Sequence, residues 1–263
     1  MHDWESLAAT WERGRALLWR STRPVSERLV ELLDPRPGET ILELAAGVGE
    51  TGFLAAERGA HLISTDRAPQ MVEAAQRTAA ALGVDGVEFR VFSSDRIELP
   101  DMSVDGVLCR FGYVLLGDAL REVARVLAPG GRLVFSARRD RGASPWMAIP
   151  REILGERGHL PARERDPAWC EESIRALLEA AGFGWASVEE QDVAYRFADA
   201  DELWVLVREL LGPVAAVVGR LDDAERRRIR ALVEAASPRS GGGYELPGRS
   251  LNVRTDLRQG GTE

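Results

Sequence analysis

Short apolar runs alternate with segments of helical periodicity between residues 41 and 137. This alternation constrains the fold more than any other feature of the chain, because buried strands separated by amphipathic helices form βαβ units. The apolar runs cover residues 41–45, 61–65, 87–92, 104–109 and 133–137. The pattern predicts an α/β fold in which a parallel, doubly wound sheet is covered by helices on both faces.

Helical patterns flank this region on both sides. Residues 3–20 and 25–33 predict two amphipathic helices before the first strand, and the second pattern ends before Pro35 and Pro37. Further helices are predicted at 147–156, 170–181 and 199–236, with strands at 185–197 and 244–255, the last one after a flexible break at 241–243.

These patterns divide the chain into four parts. We expect an N-terminal helical lid at 1–36 and a ligand-binding core at 37–140. A substrate-covering helical insertion follows at 141–237 and includes one core strand near 185–197, and 238–263 holds the last core strand and a tail.

Charge and composition exclude several function classes. The net charge of −8 argues against nucleic acid or an anionic membrane as a partner, and so favours a small-molecule substrate. All 34 basic residues are arginines, which excludes Schiff-base chemistry, a pyridoxal-phosphate anchor and a P-loop lysine.

Thiols and histidines are few. Cys109 and Cys170 form no CxxC pair, so we expect reduced residues in or near the core and no metal site. The first residues resemble neither a secretory signal nor a membrane span, and we therefore expect a cytoplasmic protein. A homodimer through the C-terminal helices is left open.

The most informative motif lies between Glu43 and Gly52, where a strand ends in a glycine-rich turn that opens a helix. Gly47, Gly49 and Gly52 satisfy the GxGxxG dinucleotide pattern, and Asp66 is well spaced for a ribose-binding carboxylate. On spacing alone, a nicotinamide enzyme fits.

Charge favours another cofactor at this turn. Glu43 and Glu50 would repel a pyrophosphate, whereas Glu43 can hold the cationic part of S-adenosylmethionine directly or through water. Asp66 can accept hydrogen bonds from both ribose hydroxyls, or it can simply cap the helix ahead of Pro69. Asp95, after the third strand, can accept from the adenine amino group or serve as a plain turn residue.

Four ordered motifs carry a family resemblance. They read ILELAAGVGETG, STDRAPQMVEAA, VFSSDRIELPDMSVDGVLCRFGYVLL and LREVARVLAPGGRLVFSARR, and together they span about 41 to 139. The chain resembles the UbiE-like, type 11 branch of the class I S-adenosylmethionine-dependent methyltransferases. The resemblance implies a Rossmann-like sheet of seven strands with the last strand antiparallel.

The resemblance also implies site residues. Gly47 and Gly49 would lie under the methionine part, Met71 against adenine, and Arg110 toward the cofactor and the substrate mouth. The full predicted cofactor-binding set is Glu43, Gly47, Gly49, Thr51, Asp66, Arg67, Met71, Ser94, Asp95, Arg96 and Arg110.

Catalytic and substrate-binding residues are predicted from residue type and position. His159 is the candidate general base, with a loop histidine as the alternative. Tyr113 can orient the acceptor through its hydroxyl or be a half-buried tyrosine beside the cleft. Arg110 can pair with a substrate carboxylate or with an acid of the protein. We expect Trp11 and Trp146, with Tyr113 and His159, to contact the substrate, with core packing as the alternative for the tryptophans.

The function predicted from the sequence is methyl transfer to oxygen, nitrogen or carbon of a small organic acceptor. A second hypothesis keeps the fold and the cofactor without methyl transfer, as in a cyclisation, a rearrangement or simple cofactor binding. The third is the nicotinamide oxidoreductase. A nucleic-acid methyltransferase is disfavoured because arginines and acids are interleaved, as in 163–166.

Overall fold

The computed structural model describes residues 4–111, 118–138, 145–160 and 170–258. The chain divides into two compact units. The sheet unit comprises Arg23–Arg138, Trp169–Gln191 and Ser250–Glu263, and the helical unit comprises Met1–Thr22, Arg139–Ala168 and Asp192–Arg249. The predicted four-part division stays a prediction.

Within the described residues, eight strands form one mixed sheet in the order β3-β2-β1-β4-β5-β8-β6, with β7 paired to β8. The pairs among β1 to β5 are parallel, and β8 runs antiparallel to β5. The strands are β1 (Thr40–Glu43), β2 (His61–Asp66), β3 (Val87–Val91), β4 (Val104–Cys109), β5 (Leu127–Arg138), β6 (Phe183–Phe197), β7 (Arg239–Ser240) and β8 (Gly243–Leu257). The predicted doubly wound α/β fold with an antiparallel last strand is confirmed.

The register explains why the central strands read as continuous apolar runs. Leu42, Val107 and Leu133 lie side by side on β1, β4 and β5, and none of them is exposed. Because both faces of a parallel sheet are covered, such strands do not alternate between apolar and polar residues. The row places the carboxyl ends of β1, β4 and β5 next to one another.

Helices connect the strands and build the helical unit. Gly83 ends one of them in the left-handed conformation, with φ +67°, and Asp222 caps another by accepting from the backbone N–H of Glu225. The helices are α1 (Trp4–Leu33), α2 (Glu50–Ala56), α3 (Pro69–Leu82), α4 (Asp118–Val126), α5 (Pro145–Glu156), α6 (Glu171–Ala180), α7 (Ala200–Val205), α8 (Pro213–Arg220) and α9 (Asp223–Ala236). A π-helical turn, Leu206–Leu210, follows α7, so the stretch predicted at 199–236 is interrupted.

The prediction of two N-terminal helices is wrong, because α1 is one 30-residue helix that passes through Pro24. A proline in a helix interior costs about 3 kcal/mol, since it lacks an N–H and crowds the preceding turn. Val25, Leu29 and Leu33 beyond it are fully buried. Burial of each such side chain contributes about 1.5–3 kcal/mol, which together outweighs the proline.

Two glycine-rich segments differ from the predictions. The expected flexible break at 241–243 is a hairpin turn, in which Gly241 and Gly242 both have positive φ and Ser240 pairs with Gly243. This hairpin adds β7, an eighth strand beside the seven predicted. The proline and two glycines at 129–131 predict the end of a helix, but this segment belongs to β5.

The two thiols lie in different surroundings. Cys109 is buried at the end of β4, as expected, and its pKa is raised by burial and then by the charge of Glu43. Cys170 is exposed at the start of α6, which corrects its placement in or near the core. Both are free thiols.

Two features are absent from the described part of the chain. None of its helices is both long and apolar enough to cross a membrane. Among the same residues, no group of three or more His, Cys, Asp or Glu side chains is arranged to hold a metal ion.

Candidate functional site

The turn between β1 and α2 exposes backbone toward open space. Ala45, Gly47 and Gly49 all adopt positive φ, at 52°, 58° and 93°. A Cβ on Gly49 would lie 2.5 Å from Cζ of Phe53, whereas a Cβ on Gly47 would meet no atom within 4 Å. Gly49 is therefore required by packing, and Gly47 leaves room for a ligand to approach the main chain.

Glu43 holds this turn from inside the fold. Its side chain is buried at the end of β1, where Oε1 accepts from the backbone N–H of Gly52 (2.9 Å) and Oε2 accepts from the Ser64 hydroxyl (3.3 Å). Burial raises the pKa of Glu43 to about 8. Both oxygens thus have partners within the protein, and the expected contact with a cationic ligand stays a prediction.

Asp66 ties the turn to the end of β2. Its Oδ2 accepts from the backbone N–H of Gly47 and its Oδ1 from that of Ala68, each at 3.0 Å. Burial raises the pKa of this carboxyl, and the two N–H donors oppose the shift. An ionised carboxylate has about four acceptor positions, so these two bonds leave capacity for two hydroxyl groups.

The adenine-side candidates lie next to Asp66, because Asp66 pairs with Val91 at the end of β3. Met71 is buried on α3. Beyond β3, the side chain of Ser94 is half-buried, and Asp95 and Arg96 are exposed in a turn closed by a bond from the Arg96 N–H to the Ser93 carbonyl (3.1 Å). Arg67 is exposed directly after β2.

A buried hydroxyl pair supports Arg110 at the end of β4. The Arg110 Nε donates to Oγ1 of Thr51 (2.9 Å), and that oxygen lies 2.9 Å from Oγ of Ser26 on α1. Both hydroxyl residues are buried. Ser26 was not among the predicted residues, because its partner is 25 residues away and it carries no local signal.

Two arginines approach the ring of Phe111, the residue after Arg110. The Cζ of Arg110 lies 5.4 Å from the centroid of the Phe111 ring, and the Cζ of Arg138, the last residue of β5, lies 4.3 Å from it. Phe111 has φ +60°, and its backbone N–H donates to the buried Ser136 hydroxyl (2.8 Å). Arg138 was not among the predicted residues.

The remaining catalytic and substrate candidates lie in other parts of the chain. His159 and Trp11 belong to the helical unit, where the His159 Nε2 is 3.0 Å from Oε1 of Glu225 and Trp11 is half-buried. Tyr113 and the side chain of Trp146 lie outside the described residues. Their predicted roles stay predictions.

Comparison with known proteins identifies the family. A family profile described as a methyltransferase domain matches residues 41–131. A demethylmenaquinone methyltransferase of Clavibacter sepedonicus is 40% identical over 201 residues, which cover 68% of this chain and 76% of that protein. The chain belongs to the class I S-adenosylmethionine-dependent methyltransferases. The resemblance drawn from the four motifs is confirmed, and a nicotinamide oxidoreductase is rejected.

The matches to two other relatives cover different shares of this chain and of those proteins. A demethylmenaquinone methyltransferase of Thermus thermophilus is 39% identical over 128 residues, which are 46% of this chain and 54% of that protein. An aklanonic acid methyltransferase of a Streptomyces species is 29% identical over 187 residues, with 64% and 84% covered.

Solved structures agree in fold. The YcgJ protein of Bacillus subtilis superposes with a TM-score of 0.59 at 20% identity, covering 89% of this chain and 98% of that one. A geranyl diphosphate C-methyltransferase of Streptomyces coelicolor, solved with S-adenosylhomocysteine, gives 0.55 at 13% identity, covering 90% and 79%. These likenesses establish the shared sheet architecture.

S-adenosylmethionine is the cofactor of this methyltransferase, and the residues at the turn fit it. The open space at Gly47 admits a ligand against the backbone, and Asp66 keeps acceptor capacity for ribose hydroxyls. Glu43, buried beneath the turn, holds the start of α2 in place through the Gly52 N–H.

Proposed function

We propose that this methyltransferase transfers a methyl group to an oxygen, carbon or nitrogen atom of a small organic acceptor and releases S-adenosylhomocysteine. The observation that carries the proposal is the bond from the Gly47 N–H to Asp66, which joins the open turn to a carboxylate at the neighbouring strand end. Relatives named for demethylmenaquinone and for aklanonic acid support a small-molecule acceptor.

The turn and its neighbours would bind the cofactor. We assign the ribose hydroxyls to Asp66, the methionine part to the backbone at Gly47 and Gly49, and the adenine to Met71 and Asp95. Glu43 and Thr51 act from beneath by fixing the start of α2 and the Arg110 side chain. Arg67, Ser94 and Arg96 complete the predicted set around the adenosine.

The cofactor, when bound, supplies an electrophilic methyl group on a sulfonium. The protein then has to place the acceptor atom in line and exclude water, which accounts for much of the rate in such transfers. We propose His159 as the base that removes the acceptor proton, with Glu225 orienting its ring. Trp11, Tyr113 and Trp146 would contact the acceptor, and a homodimer stays a prediction.

Calorimetric titration with S-adenosylmethionine and S-adenosylhomocysteine tests the cofactor site. We expect wild-type binding and a loss of at least about tenfold, or 1.4 kcal/mol, in Asp66→Ala. Asp85→Ala is the matched control, because Asp85 is an exposed acid before β3, at the opposite end of the strands. Failure of the wild type to bind either compound would overturn the assignment.

The reaction itself is tested by an acceptor screen with product mass and S-adenosylhomocysteine measured together. Methyl transfer predicts one S-adenosylhomocysteine for each product heavier by one methylene. A product of unchanged mass formed without S-adenosylhomocysteine would instead establish the cyclisation or rearrangement hypothesis.

A further inference from the structure

We propose that the acceptor of this methyltransferase carries an oxyanion, a carboxylate or an ionised hydroxyl, and that Arg110 and Arg138 bind it. The inference rests on the proposed function, since it names the class of acceptor for that site. Five observations on the sheet unit support it.

The first observation is the position of the two arginines in the sheet. Arg110 directly follows β4, and Arg138 ends β5, which pairs in parallel with β4 through Cys109 and Phe135. In open α/β sheets, ligands bind beyond the carboxyl ends of the strands. Both guanidinium groups are therefore carried at the end of the sheet where an acceptor must lie to meet the cofactor.

The second observation is that both guanidinium groups lie near the ring of Phe111. The two Cζ atoms lie 5.4 Å and 4.3 Å from the centroid of Phe111, within the range of cation–π attraction. They are consequently at most about 10 Å apart, which is on the order of one Debye length at 0.1 M salt. Two like charges at this separation repel each other, and an anion that contacts both relieves the repulsion.

The third observation is the backbone of Phe111. A bulky residue with φ +60° is uncommon and costs energy unless its surroundings hold it. Ser136 does so, because its fully buried hydroxyl accepts the Phe111 N–H. The ring that both guanidinium groups approach is thus fixed by a strained main chain, as is common at ligand sites.

The fourth observation is the support of Arg110. The bond from its Nε to Thr51 uses one of five N–H donors and fixes the plane of the guanidinium. Thr51 is in turn held by Ser26. A guanidinium oriented in this way is suited to bidentate recognition of an oxyanion.

The fifth observation concerns which cationic residues the chain contains. The chain has no lysine, so every cationic side chain available for an anion is an arginine. Its net charge is −8, and on the described surface most arginines pair with nearby acids, as Arg121 does with Asp118. The two arginines at the ligand end of the sheet therefore suit planar, bidentate recognition of an oxyanion.

The test compares a charged probe with its neutral analogue. The enzyme is saturated with S-adenosylhomocysteine and titrated with 2-naphthoate and, separately, with 2-naphthamide. We expect wild type to prefer the acid by roughly tenfold or more, and Arg138→Met to lose that preference. Arg138→Lys keeps the positive charge and should keep part of the preference for the acid. The control is Arg121→Met, which replaces an exposed arginine on α4.

The outcomes separate this inference from the proposed function. Equal binding of acid and amide, no binding of either, or an unchanged preference in Arg138→Met overturns the oxyanion site. Binding of S-adenosylhomocysteine is measured first in each variant, and we expect it to stay within about twofold of wild type in Arg138→Met. If wild type fails to bind S-adenosylhomocysteine, the cofactor assignment itself fails.

Discussion

The hydroxyl groups of Ser26 and Thr51 lie 2.9 Å apart in the buried space between α1 and α2. Thr51 also accepts from Arg110, so a residue of the first helix is linked to the arginine at the end of β4 by two hydrogen bonds. Each bond contributes about 1 kcal/mol net, and loss of one partner leaves a buried polar group behind.

Ser26→Ala should therefore loosen Arg110 and weaken S-adenosylhomocysteine binding by about threefold, or 0.6 kcal/mol. The measurement is calorimetric titration. Thr22→Val is the control, because its buried hydroxyl donates within the same helix, to the carbonyl of Leu18. If Arg110 mediates the effect, Ser26→Ala should change nothing further in an Arg110→Met background. An equal loss in that background, or an equal loss in Thr22→Val, would show that Ser26 acts only on stability.

Alanine should lower stability at both Gly47 and Gly52, but only at Gly47 should it act directly on cofactor binding. A Cβ on Gly52 would lie 2.3 Å from Oε2 of buried Glu43, so Gly52→Ala should lower the free energy of unfolding by about 1–3 kcal/mol. A Cβ on Gly47 meets no atom within 4 Å, and its positive φ alone costs about 1–2 kcal/mol. Gly47→Ala should thus lower stability by a similar amount and, in addition, reduce cofactor affinity by placing a methyl group in the ligand's space.

Urea unfolding and calorimetry on the two variants check this contrast. Because S-adenosylhomocysteine stabilises only the folded state, unfolding is measured without ligand. A Gly47→Ala variant that binds as wild type does would show that no ligand approaches the main chain at this turn.

Much of the fold follows from periodicity in the sequence. The apolar runs at 61–65 and 104–109 fall within β2 and β4. These strands have apolar runs because both faces of the sheet are covered there. The continuous course of α1 could not be predicted, since Pro24 is a local stop signal and the burial that overrides it depends on tertiary contacts.

Site residues could be predicted only where they belong to a sequence motif that the fold also brings together. The glycine turn and Asp66 are adjacent in the fold because β1 pairs with β2. Ser26 and Arg138 were missed for different reasons. Ser26 resembles any small residue on a helix, and Arg138 lies in an arginine-rich segment typical of solvated surface.

The stability of the protein should fall as pH rises from about 4.5 to about 8. A solvated glutamate carboxyl has a pKa of 4.5, whereas the pKa of Glu43 in the fold is about 8, because burial penalises its charge. Between those values the folded state holds a proton that the unfolded state has released, so stability decreases by up to about 1.4 kcal/mol per pH unit. The raised pKa of Asp66 acts in the same direction.

Urea unfolding at pH 5, 6, 7 and 8 measures this slope. Glu43→Gln keeps an acceptor for the Gly52 N–H and removes the titrating group, so its slope should be flatter than that of wild type. A slope that is the same in both proteins would assign the pH dependence to other groups.

His159 and Glu225 provide the last prediction. The His159 ring is 3.0 Å from a carboxylate that also pairs with Arg157, and hydrogen bonds from Arg157 and then from His159 lower the pKa of Glu225 to about 2. Glu225 thus stays ionised at neutral pH and can orient the His159 ring. If His159 is the base, His159→Asn should lower kcat by about a hundredfold, within the range for general-base catalysis, on an acceptor found in the screen. Glu225→Gln should lower kcat less, because an amide still offers a hydrogen-bond partner that orients the ring. A kcat within about threefold of wild type in His159→Asn, with S-adenosylhomocysteine binding intact, would reduce His159 to a structural partner of α9.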